Sequence, residues 1–374
     1  MPSPHTIFIA ADFVLDPALD SVADRLREQG HTVVRGPRAV PGRKTVLPPD
    51  RLGELVGAAD VIVATSRVVI DDAVLDAAPR LRGVVFPSIG TESLDLADAG
   101  RRGLMVANGA TPENFQSMAE ATIMLMLNLS YDLRGTEDLL RRNAPRPAAP
   151  RARMLQGKTI GLVGFGRIAR AVADRLRGWN VEILACSPRL DPAQVPAGVR
   201  AVALDTLLQA SDIVSLHTTL TPGSRHLIGP AELRRMKPGA FLLNTARGAC
   251  VDEAAVHQAL RDGLIAGAAL DAFEVEPLPP DSPLRQLDNA ILTPHMAGHT
   301  QELYASFAPA CVRNVEAILA GELPHHACNP SAAPAWRERL ARLDGARGGV
   351  LSAAASPPGA TAPHRRHGSS AGRQ

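Results

Sequence analysis

KTIGLVGFGRIARAVADRL, residues 158 to 176, decides how this chain folds. An apolar run from Thr159 to Val163 ends at Gly164, and a helical pattern opens at the end of the turn that follows. Gly164 allows the tight turn, Gly166 lets a pyrophosphate approach the backbone, and the small Ala169 lets helix pack on strand. The free N–H groups at the helix start then face the phosphates. Strand, glycine turn and helix in this order predict a dinucleotide-binding unit.

In such units an acid commonly stands about twenty residues further on, at the end of the next strand. Here that strand, VEILAC, runs into Ser187, Pro188 and Arg189, with Ser187 eighteen residues beyond Ala169. A carboxylate at this place accepts hydrogen bonds from both ribose hydroxyls and repels a 2′-phosphate. A serine removes the repulsion, and an arginine two residues on offers a cation. The expected cofactor is therefore NAD or NADP, with a lean to NADP.

Upstream of this stretch, short apolar runs alternate with helical patterns: IFIAA, a helix near Pro17 to Gln29, TVVR, a helix near Asp50 to Gly57, and VIVAT. A helix around Asp71 to Ala78, GVVFPS, a helix near Leu94 to Gly100 and LMVAN follow. Alternation at this spacing predicts a parallel, doubly wound sheet over residues 1–108. A long helical pattern then opens with Thr111 as cap and Pro112 in the first turn, and reads as a connecting helix over 111–131. The Pro- and Arg-rich segment 144–153 reads as a surface linker. The second alternating unit runs from Gly157 to about His295, and a helix near Gln301 to Leu319 follows it. Residues 331–374 are rich in Ala, Gly, Ser, Pro and Arg, and are expected to form a disordered tail.

Composition narrows the class of function. Of 374 residues, 45% are hydrophobic, enough for more than one core, while 40 Lys and Arg nearly balance 38 Asp and Glu. So even a balance provides no field to draw the chain to nucleic acid or an anionic membrane, and a small-molecule role fits it better. Cys186, Cys250, Cys311 and Cys328 have no CxxC spacing, which suggests a reducing compartment. No basic leader precedes a long apolar run, and the longest apolar stretch, Ala121 to Leu129, is interrupted by Thr122 and Asn128. The expectation is a soluble cytoplasmic protein. No His, Cys and carboxylate cluster has metal-binding spacing, so no metal is expected.

The motifs VGFGRIARAVADRL, LTPGSRHLIG, MKPGAFLLNTARGACVDEAAV, ALDAFEVEPLP and LTPH closely resemble the D-isomer-specific 2-hydroxyacid dehydrogenase family. The resemblance covers nearly all of residues 5–330 and is most specific from 157 to 298. It implies an α/β chain of two Rossmann-like, doubly wound parallel-sheet domains with a cleft between them. The substrate domain, flavodoxin-like, would be assembled from 1–108 and 299–330, the NAD(P)-binding domain from 109–298, and the partner would be a second copy in a homodimer. The substrate implied is a small 2-hydroxy or 2-keto acid.

Carried over position by position, the resemblance makes Arg247, Glu276 and His295 the catalytic set, with Glu276 29 residues after Arg247 and His295 19 further on. The chemistry suits these types. Hydride exchange at C2 needs a proton given to or taken from the C2 oxygen, which a histidine can do. A carboxylate beside it orients the imidazole, and a planar guanidinium can hold the substrate carboxylate and polarise the carbonyl. The resemblance places Asp271 on the nicotinamide carboxamide. It also extends the cofactor surface to Phe165, Arg167, Ile168, His217, Thr218, Thr245, Ala246 and Gly298. Asp252 reads as the N-cap of the helix EAAVHQAL. His217, His226, His257 and His299 have no evident catalytic partner.

On the substrate side, PSIGTESLD, 87–95, stands where the family offers two backbone N–H groups to the substrate carboxylate, implicating Ile89 and Gly90. The chain has Thr91, Glu92 and Ser93 where the family usually continues with an aspartate and an apolar residue. NGATPENFQSMAE also departs from the commoner NTPG pattern, although Asn114 and Ser117 remain polar. With no phosphate-binding arginine cluster evident in the substrate loops, glyoxylate or hydroxypyruvate is the expected acceptor. The alternative is a nucleotide-sensing, corepressor-like binding protein of the same fold with little turnover.

Overall fold

The computed structural model describes residues 4–188 and 190–354, with side chains as far as residue 345. Strands β1 (Thr6–Ile9), β2 (Thr32–Arg35), β3 (Val61–Val63), β4 (Gly83–Val85) and β5 (Met105–Ala107) form one parallel sheet in the order β2-β1-β3-β4-β5. Strands β6 (Thr159–Val163), β7 (Glu182–Cys186), β8 (Val199–Ala201), β9 (Ile213–Leu216), β10 (Phe241–Asn244), β11 (Gly267–Leu270) and β12 (Ala290–Leu292) form a second, in the order β12-β11-β10-β9-β6-β7-β8. All pairings are parallel, so each sheet needs helical crossovers, and both its faces are covered.

The crossovers of the first sheet are α1 (Asp16–Glu28), α2 (Leu52–Val56), α3 (Asp72–Asp76) and α4 (Leu96–Arg101). Side-chain alternation sends Ile7 and Ile9 to one face of β1 and Phe8 to the other, giving two core layers. Next in the chain come α5 (Pro112–Tyr131) and α6 (Leu133–Arg141), and then the second sheet's helices α7 (Arg167–Arg175), α8 (Leu204–Ala210), α9 (Pro230–Arg235) and α10 (Glu253–Arg261). Ile123, Leu125 and Met126 of α5 share a core layer with Ile160, Leu162 and Leu243 of the second sheet. The helix α11 (Gln301–Ala320) returns to the first sheet, where Phe307, Cys311 and Val315 pack with Ile7, Val63 and Val85. These contacts join both chain ends on the first sheet.

Local signals hold in part. Pro112 opens α5 as expected, but the Thr111 hydroxyl pairs with Ser306 Oγ at 3.1 Å instead of capping the helix. Asp252 caps α10 by accepting from the Ala255 N–H at 3.0 Å. Among the described residues no helix is long and apolar enough to cross a membrane.

The expected disordered tail needs correction. A 3₁₀ turn, Pro330–Ala332, leads into α12 (Ala333–Ala354). Trp336 is fully buried with Leu340 beside it in the first sheet's core, and the indole Nε1 donates to the Arg82 carbonyl at 2.8 Å. Arg339 reaches the Leu81 and Pro79 carbonyls, and Arg82 pairs with Asp344. The average composition of the tail concealed two large apolar residues at helical i, i+4 spacing. Residues 355–374 of that expectation lie outside the described residues.

Candidate active site

Strand order reverses around β6, which lies between β9 and β7, and ligand crevices of open α/β sheets form at such points. Gly164 follows β6 with φ +86°, and a Cβ there would lie 2.6 Å from the carbonyl oxygen of His217, which follows β9. Only glycine fits that approach. Gly166 starts α7, and a Cβ on it would meet nothing within 4 Å, so the open space at the helix N-terminus is free for an anion. Ala169 is fully buried under the turn.

Two further groups await a ligand. The Thr245 hydroxyl is buried without a hydrogen-bond partner. Asp271, 2% exposed at the end of β11, accepts from Thr293 Oγ1 at 2.7 Å and from the Met296 and Ala297 N–H groups at 2.8 and 3.0 Å, all through Oδ1. Its Oδ2 is left for a donor such as a carboxamide. The open Gly166 seat, the unpartnered Thr245 and the anchored Asp271 fit a nicotinamide dinucleotide.

The remaining expected cofactor residues lie around this crevice with differing freedom. Phe165 is buried beneath the Arg170 guanidinium, which leaves only its backbone to a ligand. Arg167 donates to the Ala110 carbonyl at 3.2 Å, while Ile168 is half-buried. The His217 Nε2 pairs with Ser215 Oγ at 3.0 Å, and burial pushes its pKa down to about 4, so the ring is neutral. Thr218 Oγ1 donates to Cys250 Sγ at 3.3 Å, and the Ala246 N–H donates to Asn244 Oδ1 at 3.1 Å. Gly298 lies tight against Met118. Ser187 is half-buried after β7 and Pro188 is exposed, while Arg189 lies outside the described residues.

The three expected catalytic side chains follow β10, β11 and β12 of the same sheet. His295 follows β12 in the left-handed region, with φ +56°, a conformation costly for a non-glycine residue and characteristic of functional sites. Its Nδ1 lies 2.9 and 3.0 Å from the two Glu276 carboxylate oxygens, and the Phe273 N–H donates to Glu276 Oε1 at 3.0 Å. Burial alone would raise the Glu276 carboxyl, but His295 beside it, the Phe273 amide and the Arg247 charge together hold it below the usual carboxylate range. Glu276 therefore stays ionised, and the paired Nδ1 leaves Nε2 as the ring's outward nitrogen.

Arg247 sits after β10 in a loop shaped by Asn244, a fully buried residue whose Nδ2 donates to the Arg247 carbonyl at 2.9 Å. Sequence reasoning gave Asn244 no role, although an asparagine at a strand end is a recognised turn former. The guanidinium Nη1 donates to the Ala246 carbonyl at 2.8 Å, and Nε donates to Glu92 Oε1 at 2.6 Å. A Cβ on Gly90 would lie 3.3 Å from Arg247 Nη2, so the guanidinium faces the Gly90 backbone across the cleft. The neighbouring Ile89 carbonyl is held by Asn108 Nδ2 at 2.9 Å. The Ser117 hydroxyl donates to the Asn114 backbone carbonyl at 3.2 Å.

Sequence reasoning missed a second cation here. Arg67 pairs through Nε and Nη2 with both oxygens of Asp12 at 2.7 and 2.8 Å, and Thr65 Oγ1 donates to Asp12 Oδ2 at 2.6 Å. Its charge acts on Tyr304 and His299, whose phenol oxygen and Nδ1 lie 3.0 Å apart. Burial raises the Asp12 carboxyl, yet Arg67 and Thr65 outweigh it and hold it below its ordinary value. Being depressed, it contributes stability that is fully present above the unfolded carboxylate range and is lost as pH falls through the folded value. Asp12→Asn is expected to destabilise the fold by about 3 kcal/mol at neutral pH, with the difference shrinking in acid, as read by urea midpoints. Equal midpoints at neutral pH would contradict this role.

Of the other histidines, His226 pairs with Glu274 at 3.2 Å. Among the described residues no group of three His, Cys, Asp or Glu side chains could hold a metal ion.

Residues 123–297 match the family model described as D-isomer specific 2-hydroxyacid dehydrogenase, NAD binding domain. The chain is 43% identical over 262 residues to a glyoxylate reductase of Thermofilum pendens, covering 68% of this chain and 77% of that protein. It is 34% identical over 311 residues to a D-3-phosphoglycerate dehydrogenase of Mycobacterium tuberculosis, covering 81% of this chain and 58% of that protein. Among solved structures, the NADPH-dependent glyoxylate/hydroxypyruvate reductase of Sinorhizobium meliloti, in complex with NADP and malonate, aligns with a TM-score of 0.75 at 28% identity, covering 88% of this chain and 98% of that one. Two parallel α/β sheets, the glycine turn at the switch point and these relatives lead to one conclusion: the chain belongs to the D-isomer-specific 2-hydroxyacid dehydrogenase family and is a nicotinamide-dependent oxidoreductase.

Proposed function

We propose that the protein reduces a small 2-oxo monocarboxylate of the glyoxylate or hydroxypyruvate type to the D-2-hydroxy acid. The observation that carries this reading is the Glu276–His295 bond, which shares a cleft with Arg247 and Gly90. When bound, the reduced nicotinamide supplies the hydride. Arg247 and the backbone of Ile89 and Gly90 hold the substrate carboxylate and fix which face of C2 is presented. His295 donates a proton from Nε2 to the C2 oxygen, and Glu276 holds the ring at Nδ1 and stabilises its charged form. Gly164, Gly166 and the start of α7 form the pyrophosphate seat, with Thr245 and Asp271 on the nicotinamide side.

Charge pairing favours a monocarboxylate. Arg67 is already matched by Asp12, and Arg247 is taken up by the substrate's own carboxylate, so neither cation is left over for a phosphate or second carboxylate. The sensor alternative finds no support among the relatives described. Four free cysteines fit a reducing cytoplasm, and exposed Met124, Tyr131, Leu133, Leu140 and Met154 on α5, α6 and the following loop fit an interface with a second copy.

For the cofactor, Ser187 in place of an acid leaves no carboxylate there to repel a 2′-phosphate, which favours NADPH. Initial rates with glyoxylate should show kcat/KM for NADPH at least equal to that for NADH. A strong NADH preference would overturn the cofactor assignment, and no rate with either would overturn the function.

A further inference from the structure

The Glu92 carboxylate lies where an incoming carboxylate belongs. Glu92 Oε1 accepts from Arg247 Nε at 2.6 Å, and a Cβ on Gly90 would lie 2.6 Å from Glu92 Oε2. The side chain therefore lies against the Gly90 backbone and engages the arginine at once. We infer that Glu92 is a built-in occupant of the carboxylate seat, and that substrate enters by displacing it from Arg247. This rests on the reading above, in which Arg247 and Gly90 receive the substrate carboxylate.

The pair is built to open. Its side chains are 29% and 38% exposed, so each charge keeps water contact when the bond breaks, unlike the enclosed Asp12. Arg247 does not depend on Glu92 for its position, because Nη1 stays bonded to the Ala246 carbonyl and Asn244 holds the loop. Glu92 belongs to the loop after β4 and Arg247 to the loop after β10, so the bond also ties the two sheets together across the cleft. Two carboxylates cannot share one seat without strong repulsion. A displaced Glu92 stays tethered nearby, so a second anionic group on the substrate meets a negative neighbour. Glu92 is thus a specificity-determining residue that acts through Arg247.

Glu92→Gln keeps the shape and an acceptor for Arg247 but removes the competing charge. In the full-length protein, KM for glyoxylate is expected to fall about tenfold while kcat moves far less. The dissociation constant of oxamate, an unreactive 2-oxo acid analogue, should fall in parallel when measured calorimetrically at saturating NADPH. Unchanged KM and oxamate affinity would overturn the proposal. A raised KM with a lost kcat would overturn it too, since Glu92 would then be supporting Arg247 and not competing for it. If neither form turns over any 2-oxo acid, the proposed function fails, and the oxamate titration alone then decides on Glu92. Absence of oxamate binding to both forms would overturn the carboxylate seat and its occupant together.

Discussion

Replacing His295 by alanine is expected to lower kcat for 2-oxo acid reduction by about 10²- to 10⁴-fold, the usual weight of a positioned general acid. The ring nitrogen bonded to Glu276 fixes the orientation, so the proton can leave only from Nε2, and no other described side chain pairs with Glu276 in that position. Nucleotide affinity should barely change, because the proposed pyrophosphate seat at Gly164 and Gly166 lies on the loop after β6 and makes no use of the imidazole. Glu276→Gln should fall between wild type and His295→Ala, because the imidazole keeps a hydrogen-bond partner but loses the charge that favours its protonated form. Stopped-flow reduction with nucleotide titration on the same preparation separates the two effects. Wild-type kcat in His295→Ala would remove the residue from the chemistry.

Trp336→Ala is expected to cost about 3–5 kcal/mol of stability, the range for deleting a fully buried aromatic side chain. The indole is the largest fully buried side chain among the described residues and joins the same layer as Ile7, Val63 and Phe307. Its removal opens a cavity under the first sheet and leaves the Arg82 carbonyl without the indole N–H. Since that sheet carries Gly90 and Glu92, the variant should also lose affinity for a 2-oxo acid before it unfolds. Urea denaturation measures the first effect. A variant as stable as wild type would mean that α12 packs without contributing to the core.

Much of this architecture was legible in the chain. The glycine turn, the alternating runs and the crossover helices fix the doubly wound sheets because their signals are local and periodic. Arg247, Glu276 and His295 stand out in the sequence because each lies in a distinctive motif at the carboxyl end of a strand, and folding brings His295 onto Glu276. The pairs Arg67 with Asp12 and Arg247 with Glu92 carry no such signal, since their partners lie 55 and 155 residues apart and meet only after folding. In the sequence Glu92 is only a departure from the family pattern, and nothing local says that it reaches an arginine from the other sheet. The tail misled for the opposite reason. Its small residues outnumber Trp336 and Leu340, but two large side chains one helical turn apart are enough to seat a helix when an open core face awaits them.

The account stands most directly on substrate choice in the cleft. Initial rates of NADPH and NADH consumption should be measured with glyoxylate, hydroxypyruvate and phosphohydroxypyruvate under identical conditions. With Arg67 matched by Asp12, Arg247 engaged by the substrate carboxylate and Glu92 left as a negative neighbour, kcat/KM for the unphosphorylated acids should exceed that for the phosphorylated one by about 100-fold or more. A preference for phosphohydroxypyruvate would contradict the charge-paired cleft, and no consumption with any of the three would contradict the enzyme itself.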